Sequence, residues 1–168
     1  MAEDHHIDMS GRIWEKKTIG IACVSAQTKI HNGCALRGNL IKLIEKMLCT
    51  GHIREEYAKL YAICIFLLIK NKIQDINSLI ICNDEDFNYV REYLLFLLES
   101  PNPPKIENIT DFKKKLGRNI KSLADNFAIN YRKRALNRNK WDIGRKLNVV
   151  EVDYASIKEC WEKLNKIK

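Results

Sequence analysis

The run Thr18-Ile19-Gly20-Ile21-Ala22-Cys23-Val24-Ser25-Ala26 limits most strongly how this chain can fold. It is rich in β-branched residues and almost continuously apolar, so it reads as a strand with no wet face. A strand buried on both sides needs a sheet covered on both sides. The chain supplies the covering layers as helical patterns. Leu40, Ile44, Met47 and Leu48 share one face of a helix over 37–50, and 54–72 is apolar nearly all round and reads as a buried core helix.

The rest of the chain extends this pattern. His5–Met9 is a first short strand, and Lys29–Leu36 a third, giving three consecutive strands that suggest an antiparallel meander. Asn77–Asn83 is a fourth, compact and buried. The acidic turn Asp84-Glu85-Asp86 can cap a helix over 87–98. After the Pro-rich break at 100–104 come a fifth strand over 105–110 and a long basic helix over 118–137. In that helix Ile120, Leu123, Phe127 and Tyr131 face inward. Leu147–Val152 is a last strand, and Asp153 caps a closing helix that carries Ile157, Cys160, Trp161 and Leu164. The expectation is one α/β domain over 1–168, with a mixed sheet flanked by helices. Its core covers about 5–137, and 147–167 form a C-terminal strand–helix extension.

Charge is regional. The net charge is +8, but Lys113–Lys146 holds twelve Lys/Arg against two acids, which leaves the remainder at −2. Such one-sided clustering suits contact with a polyanion, and nucleic acid is the partner expected; a solvated helix surface is the plain alternative. Arg118, Lys121, Arg132, Lys133, Arg134, Arg138 and Arg145 are the candidate phosphate contacts, with Tyr131 and Trp141 as stacking candidates. The six cysteines form no CxxC pair and sit mostly in apolar runs, so buried free thiols and a reducing, cytoplasmic setting are expected. Residues 1–8 lack the apolar stretch of a secretory signal. The most apolar run, Tyr61–Ile69, falls short of the roughly 20 residues a bilayer span needs, so no membrane contact is expected.

Three acids occupy places where α/β sheets gather chemistry: Asp8 on the first strand, Asp84 closing the fourth, and Asp125 on the basic helix. Carboxylates brought together repel, and Mg²⁺ or Mn²⁺ is the natural remedy. Two such ions about 4 Å apart can activate water against a phosphodiester. Taken singly, each acid has a plainer role: Asp8 as a turn residue, Asp84 or Asp86 as a helix N-cap, Asp125 as a surface ion-pair partner. Ser10 has no His/Asp partner set, and Gly11 and Gly20 make no phosphate-binding loop.

The stretch His6-Ile7-Asp8-Met9-Ser10-Gly11-Arg12 resembles the first strand of RNase H-like proteins, where a strand-borne Asp precedes a Gly-containing turn. It is especially similar to type 2 ribonucleases H and to an RNase H-like family opening with Asp-Glu-Ser-Gly. Ile80-Ile81-Cys82-Asn83-Asp84-Glu85 resembles the strand that ends in that superfamily's next catalytic Asp. Leu123-Ala124-Asp125 is similar to its Leu-Ala-Asp helix motif. The resemblance spans about residues 5–137. It implies an RNase H-like fold, a divalent-metal nuclease activity with Asp8, Asp84 and Asp125 as catalytic metal ligands, and archaeal relatives, with which the Ile/Lys-rich composition is compatible. Two departures stand out: Met9 replaces the acid that commonly follows the first Asp, and the superfamily's helix-borne Glu has no clear counterpart. Glu45 is the best placed for that role, ahead of Glu55 and Glu56. A non-catalytic member of the same fold, binding nucleic acid or protein, is the alternative.

Overall fold

A computed structural model describes residues 1–136 and 147–167. Five strands form one mixed sheet in the order β3-β2-β1-β4-β5. β1 (Glu3–Ser10), β2 (Ile19–Ser25) and β3 (His31–Leu36) make the expected antiparallel meander. β4 (Ile76–Ile81) and β5 (Lys105–Asn108) then add parallel to β1. β2 is buried at all seven positions, as its composition requires.

The helices that bury the two faces differ in kind. α1 (Gly38–Leu48), α2 (Ile53–Ile69), α3 (Phe87–Leu98) and α6 (Tyr154–Leu164) pack with Ile7, Met9, Ile21 and Ile81 into the large core. α2 has thirteen buried residues among its seventeen, matching its all-round apolarity. On the opposite face α5 (Asp125–Ala135) lies over Ala22 and Val24 through Ala124, Ala128 and Tyr131. α4 (Ile109–Leu116) follows β5 directly, with Asn108 as its N-cap accepting from the Thr110 amide.

α5 rides unusually close to the sheet. A Cβ on Gly20 would fall 2.1 Å from the Ala128 carbonyl oxygen, and one on Gly33 would fall 2.3 Å from the Tyr131 ring. Only a hydrogen fits at either point, so these two glycines set the height of the helix above β2 and β3.

Several local expectations change. The helix expected over 118–137 begins only at Asp125. Gly117, in the left-handed region, ends α4, and 118–124 cross to the sheet without helical structure. The strand expected over 147–152 reduces to one parallel bridge, Gly33 to Val149. On α1 Ile44 is buried and Leu40 and Leu48 pack against the core as expected, Ile41 joins them, and of the expected face Met47 alone turns out, 57% exposed. Asp86, and not Asp84, caps α3 by accepting from the Asn88 amide. Asp153 caps α6 as expected, accepting from the Ser156 amide at 2.8 Å.

Candidate carboxylate site

Alternation along β1 decides where its acid points. Ile7 and Met9 enter the large core, so His6, Asp8 and Ser10 face the α5 side. Asp8 is 8% exposed and opposes Ala22, which touches α5. Its Oδ1 accepts from the Met9 amide at 2.8 Å. Because β4 runs parallel to β1, both strands end at the same edge of the sheet, and the segment leaving β4 carries Asp84 to the level of Asp8. Functional groups in open sheets collect at such carboxyl ends.

Asp8 and Asp84 meet there. The Asp84 carboxyl lies within hydrogen-bonding reach of the Asp8 carboxyl, and its Oδ2 is buried without a donor among the described residues. Burial, then the negative charge of Asp8, pushes Asp84 up to about 7, although Arg12 pulls it down. The Arg12 guanidinium donates to Asp84 Oδ1 at 3.0 Å and to its backbone oxygen at 3.1 Å. Burial likewise pushes Glu85 up to about 7, and its Oε1 also lacks a donor. The Tyr61 hydroxyl, fully buried beneath this edge on α2, feels Asp84, Cys82, Asp8 and Glu85 together and is pushed well above its ordinary value, chiefly by burial. Two carboxyls this close repel, which together with burial makes Asp84 easier to protonate, and a bound cation would favour the ionised form.

The remaining expected ligands stand apart. Asp125 is the first residue of α5, and its side chain is exposed. The preceding loop does reach the pair, since Ser122 lies in hydrogen-bonding range of the Cys82 thiol, itself beside Asp8. Glu45 is engaged by Lys16 Nζ at 2.9 Å. Glu55 accepts from the Tyr93 hydroxyl, and buried Glu56 accepts from Thr50 and Gly51, tying the α1–α2 turn. Among the described residues no group of three or more His, Cys, Asp or Glu is placed to hold a metal ion. What the geometry provides is a pair of acids, with Glu85 beside it.

The basic candidates divide. Arg118 and Lys121 lie on the exposed crossing to α5. Arg132, Lys133 and Arg134 form its last turn, the favourable end of the helix for cations. Tyr131 is buried, and its hydroxyl donates to the Asn148 carbonyl at 3.0 Å, so its ring is occupied as core and not free to stack. Arg138, Trp141 and Arg145 lie outside the described residues. Sequence reasoning missed Arg12 and Glu85 as members of the site. Glu85 had a signal, its place directly after Asp84 at a strand end; Arg12 had none, since only the tertiary fold brings it 72 residues along the chain to Asp84. All six cysteines are free, four of them buried. No helix among the described residues is long and apolar enough to cross a membrane. No family model, curated protein or solved structure matches the chain.

Proposed function

We propose that the chain is an RNase H-like, divalent-cation-dependent nuclease that hydrolyses phosphodiester bonds of RNA, an RNA/DNA hybrid or structured DNA. The observation that carries this reading is the Asp8–Asp84 pair at the shared edge of β1 and β4, with a buried carboxylate oxygen that receives no donor among the described residues. The meander followed by alternating helices and parallel strands supports it, being the arrangement the resemblance implies.

The donor set suits Mg²⁺ or Mn²⁺: hard oxygen ligands only, and two carboxylates, which is how Mg²⁺ is commonly held alongside its waters and a substrate phosphate. Asp8 and Asp84 would hold the ion, and Asp125, exposed at the start of α5, stands apart from them. A cation bound there supplies Lewis-acid polarisation and an acidified water. The two acids that meet provide for one ion rather than two. Arg12 orients Asp84 and is placed to take a phosphate oxygen once a cation neutralises the pair. The cations of α5 and of the crossing before it hold the strand backbone.

A second reading, a non-catalytic nucleic-acid or protein binding module of the same fold, is favoured by one observation: Arg12 already compensates Asp84, and neither Glu45 nor Asp125 completes the set. Titration with Mn²⁺ or Mg²⁺ followed by calorimetry, together with cleavage of RNA, hybrid and branched DNA, separates the two. The nuclease reading expects saturable cation binding, lost in Asp8→Asn, and cleavage lost with it. Loss of a partner to a ligand typically costs 10–100-fold, so loss of a direct ligand is expected to cost at least about 100-fold. Nucleic-acid binding that neither needs a cation nor leads to cleavage would establish the binding module.

A further inference from the structure

A second feature is built where the turn after β1 meets the start of α1. There a cavity of about 580 Å³ is lined by Lys16, Lys17, Arg37, Lys42 and Arg132, and no acid among the described residues lines it. Three elements far apart in the chain supply these cations: the β1–β2 connection, the β3–α1 junction and the last turn of α5. Lys16 is held by Glu45 at 2.9 Å, and Lys17 lies 3.7 Å from Glu15. Arg37, Lys42 and Arg132 have no ion pair among the described residues. Like charges gathered around one cavity repel, less where water screens them, and an anion entering it relieves that repulsion.

The site is shaped as well as charged. A Cβ on Gly38 would fall 2.5 Å from the Lys16 carbonyl oxygen, so only glycine lets α1 begin against the Lys16–Lys17 backbone. Lys16 itself turns through the left-handed region at φ 54°, closing the 3₁₀ turn Ile13–Glu15. The first turn of the eleven-residue α1 therefore faces the cavity through Gly38 and Asn39, and its N-cap, Arg37, spends no side-chain bond on it. Arg132 joins this cavity to the carboxylate edge, since its guanidinium lies 3.5 Å from the Cβ position of Gly11, three residues beyond Asp8.

We propose that this cavity is a phosphate-binding site, separate from the carboxylate pair, that takes one phosphate group of a nucleic-acid strand whose neighbouring backbone runs past Gly11 toward Asp8. The forked guanidinium groups of Arg37 and Arg132 match the oxygens of a phosphate, and Lys16 and Lys42 add point charge. The identity of the carrier rests on the nucleic-acid reading above; the phosphate site does not.

The test uses the ¹⁵N-labelled full chain in buffer with EDTA, titrated with inorganic phosphate against chloride at matched ionic strength. Saturable shifts are expected at the amides of Gly38, Asn39 and Lys42. Arg37→Ala/Lys42→Ala is expected to weaken phosphate binding by about tenfold or more, each lost charge-assisted bond contributing to that factor. Lys46→Gln/Lys70→Gln removes the same charge outside the cavity and is expected to leave binding unchanged; thermal melts confirm that both variants fold. Asp8→Asn is expected to keep the phosphate response, so failure of the nuclease reading leaves this result standing. Short DNA and RNA oligonucleotides are expected to compete with phosphate. Phosphate binding without that competition would keep the site and assign it to a small phosphorylated molecule. Absence of saturable shifts, or equal weakening by the two double variants, overturns the proposal.

Discussion

Asp84 is the residue on which the stability of this edge, and the chemistry proposed for it, both depend. In the cation-free fold it is pushed up to about 7 from an ordinary 3.8, and Glu85 to about 7 from 4.5, burial being the first cause in each case. Between those values the native state binds more protons than the unfolded chain, so stability falls as pH rises through this window. Melting temperature in EDTA is therefore expected to drop from pH 5 to pH 7.5, and Asp84→Asn/Glu85→Gln to flatten that slope. Buried His5 and His6, both pushed down by burial, oppose this slope, so equal slopes in the wild type and the variant are the result that would remove the case for a strained acid pair. Added Mg²⁺ is expected to restore stability at pH 7.5 by favouring the ionised carboxyls. Lys59 shows burial resolved differently: its ammonium lies 5.2 Å from the Tyr93 ring and 4.9 Å from the Trp161 ring and donates to Asn165 at 3.0 Å.

At the scale of elements, the docking of α5 on β2 makes the sharpest demand. Gly20→Ala has to displace the helix or bend the strand, and overpacking of this kind typically costs about 1–3 kcal/mol. Chemical denaturation is expected to show a loss in that range, whereas Gly51→Ala, whose Cβ would meet nothing within 4 Å, tests positive φ alone. The elements most legible in the sequence were those fixed by their own composition. β2 and α2 declared themselves through burial on all sides, and α6 through its Asp153 cap and periodic apolar face. α4 was hidden because Asn108 caps it directly at the end of a strand, with no turn between. The crossing 118–124 was misread as helix because its Leu and Ile spacing fits a helix, while Gly117 stops the preceding one. In the site, Asp8 and Asp84 were legible from their strand ends; Arg12 and the cationic cavity were not, because both arise from segments distant in sequence.

At the scale of the whole molecule, the Asp8–Asp84 edge has Arg12 on it and Arg132 close by among the described residues, and on the proposed nuclease reading affinity for nucleic acid should follow from that asymmetry. Binding should weaken linearly in the logarithm of salt concentration, with a slope of about −0.9 per phosphate contacted on duplex DNA. Arg132→Gln is expected to reduce that slope by about 1 and to weaken all sequences alike, measured by fluorescence anisotropy across a salt series. A slope unaltered in this variant would remove Arg132 from the interface. The fold should tolerate the change, since Arg132 makes no ion pair among the described residues.

The tie between β3 and the returning chain has a consequence for solubility. Gly33 donates to Asn148 at 3.1 Å and accepts from Val150 at 2.8 Å, so the middle of the outermost antiparallel strand is already occupied from outside. The opposite border, β5, is four residues long and carries Lys105 and Glu107. Short, charged borders resist recruitment of further strands. A chain cut back to residue 136 would unseal the β3 border and lose Trp161 from the core, and such a fragment would be prone to stack on its own copies into fibrous precipitate.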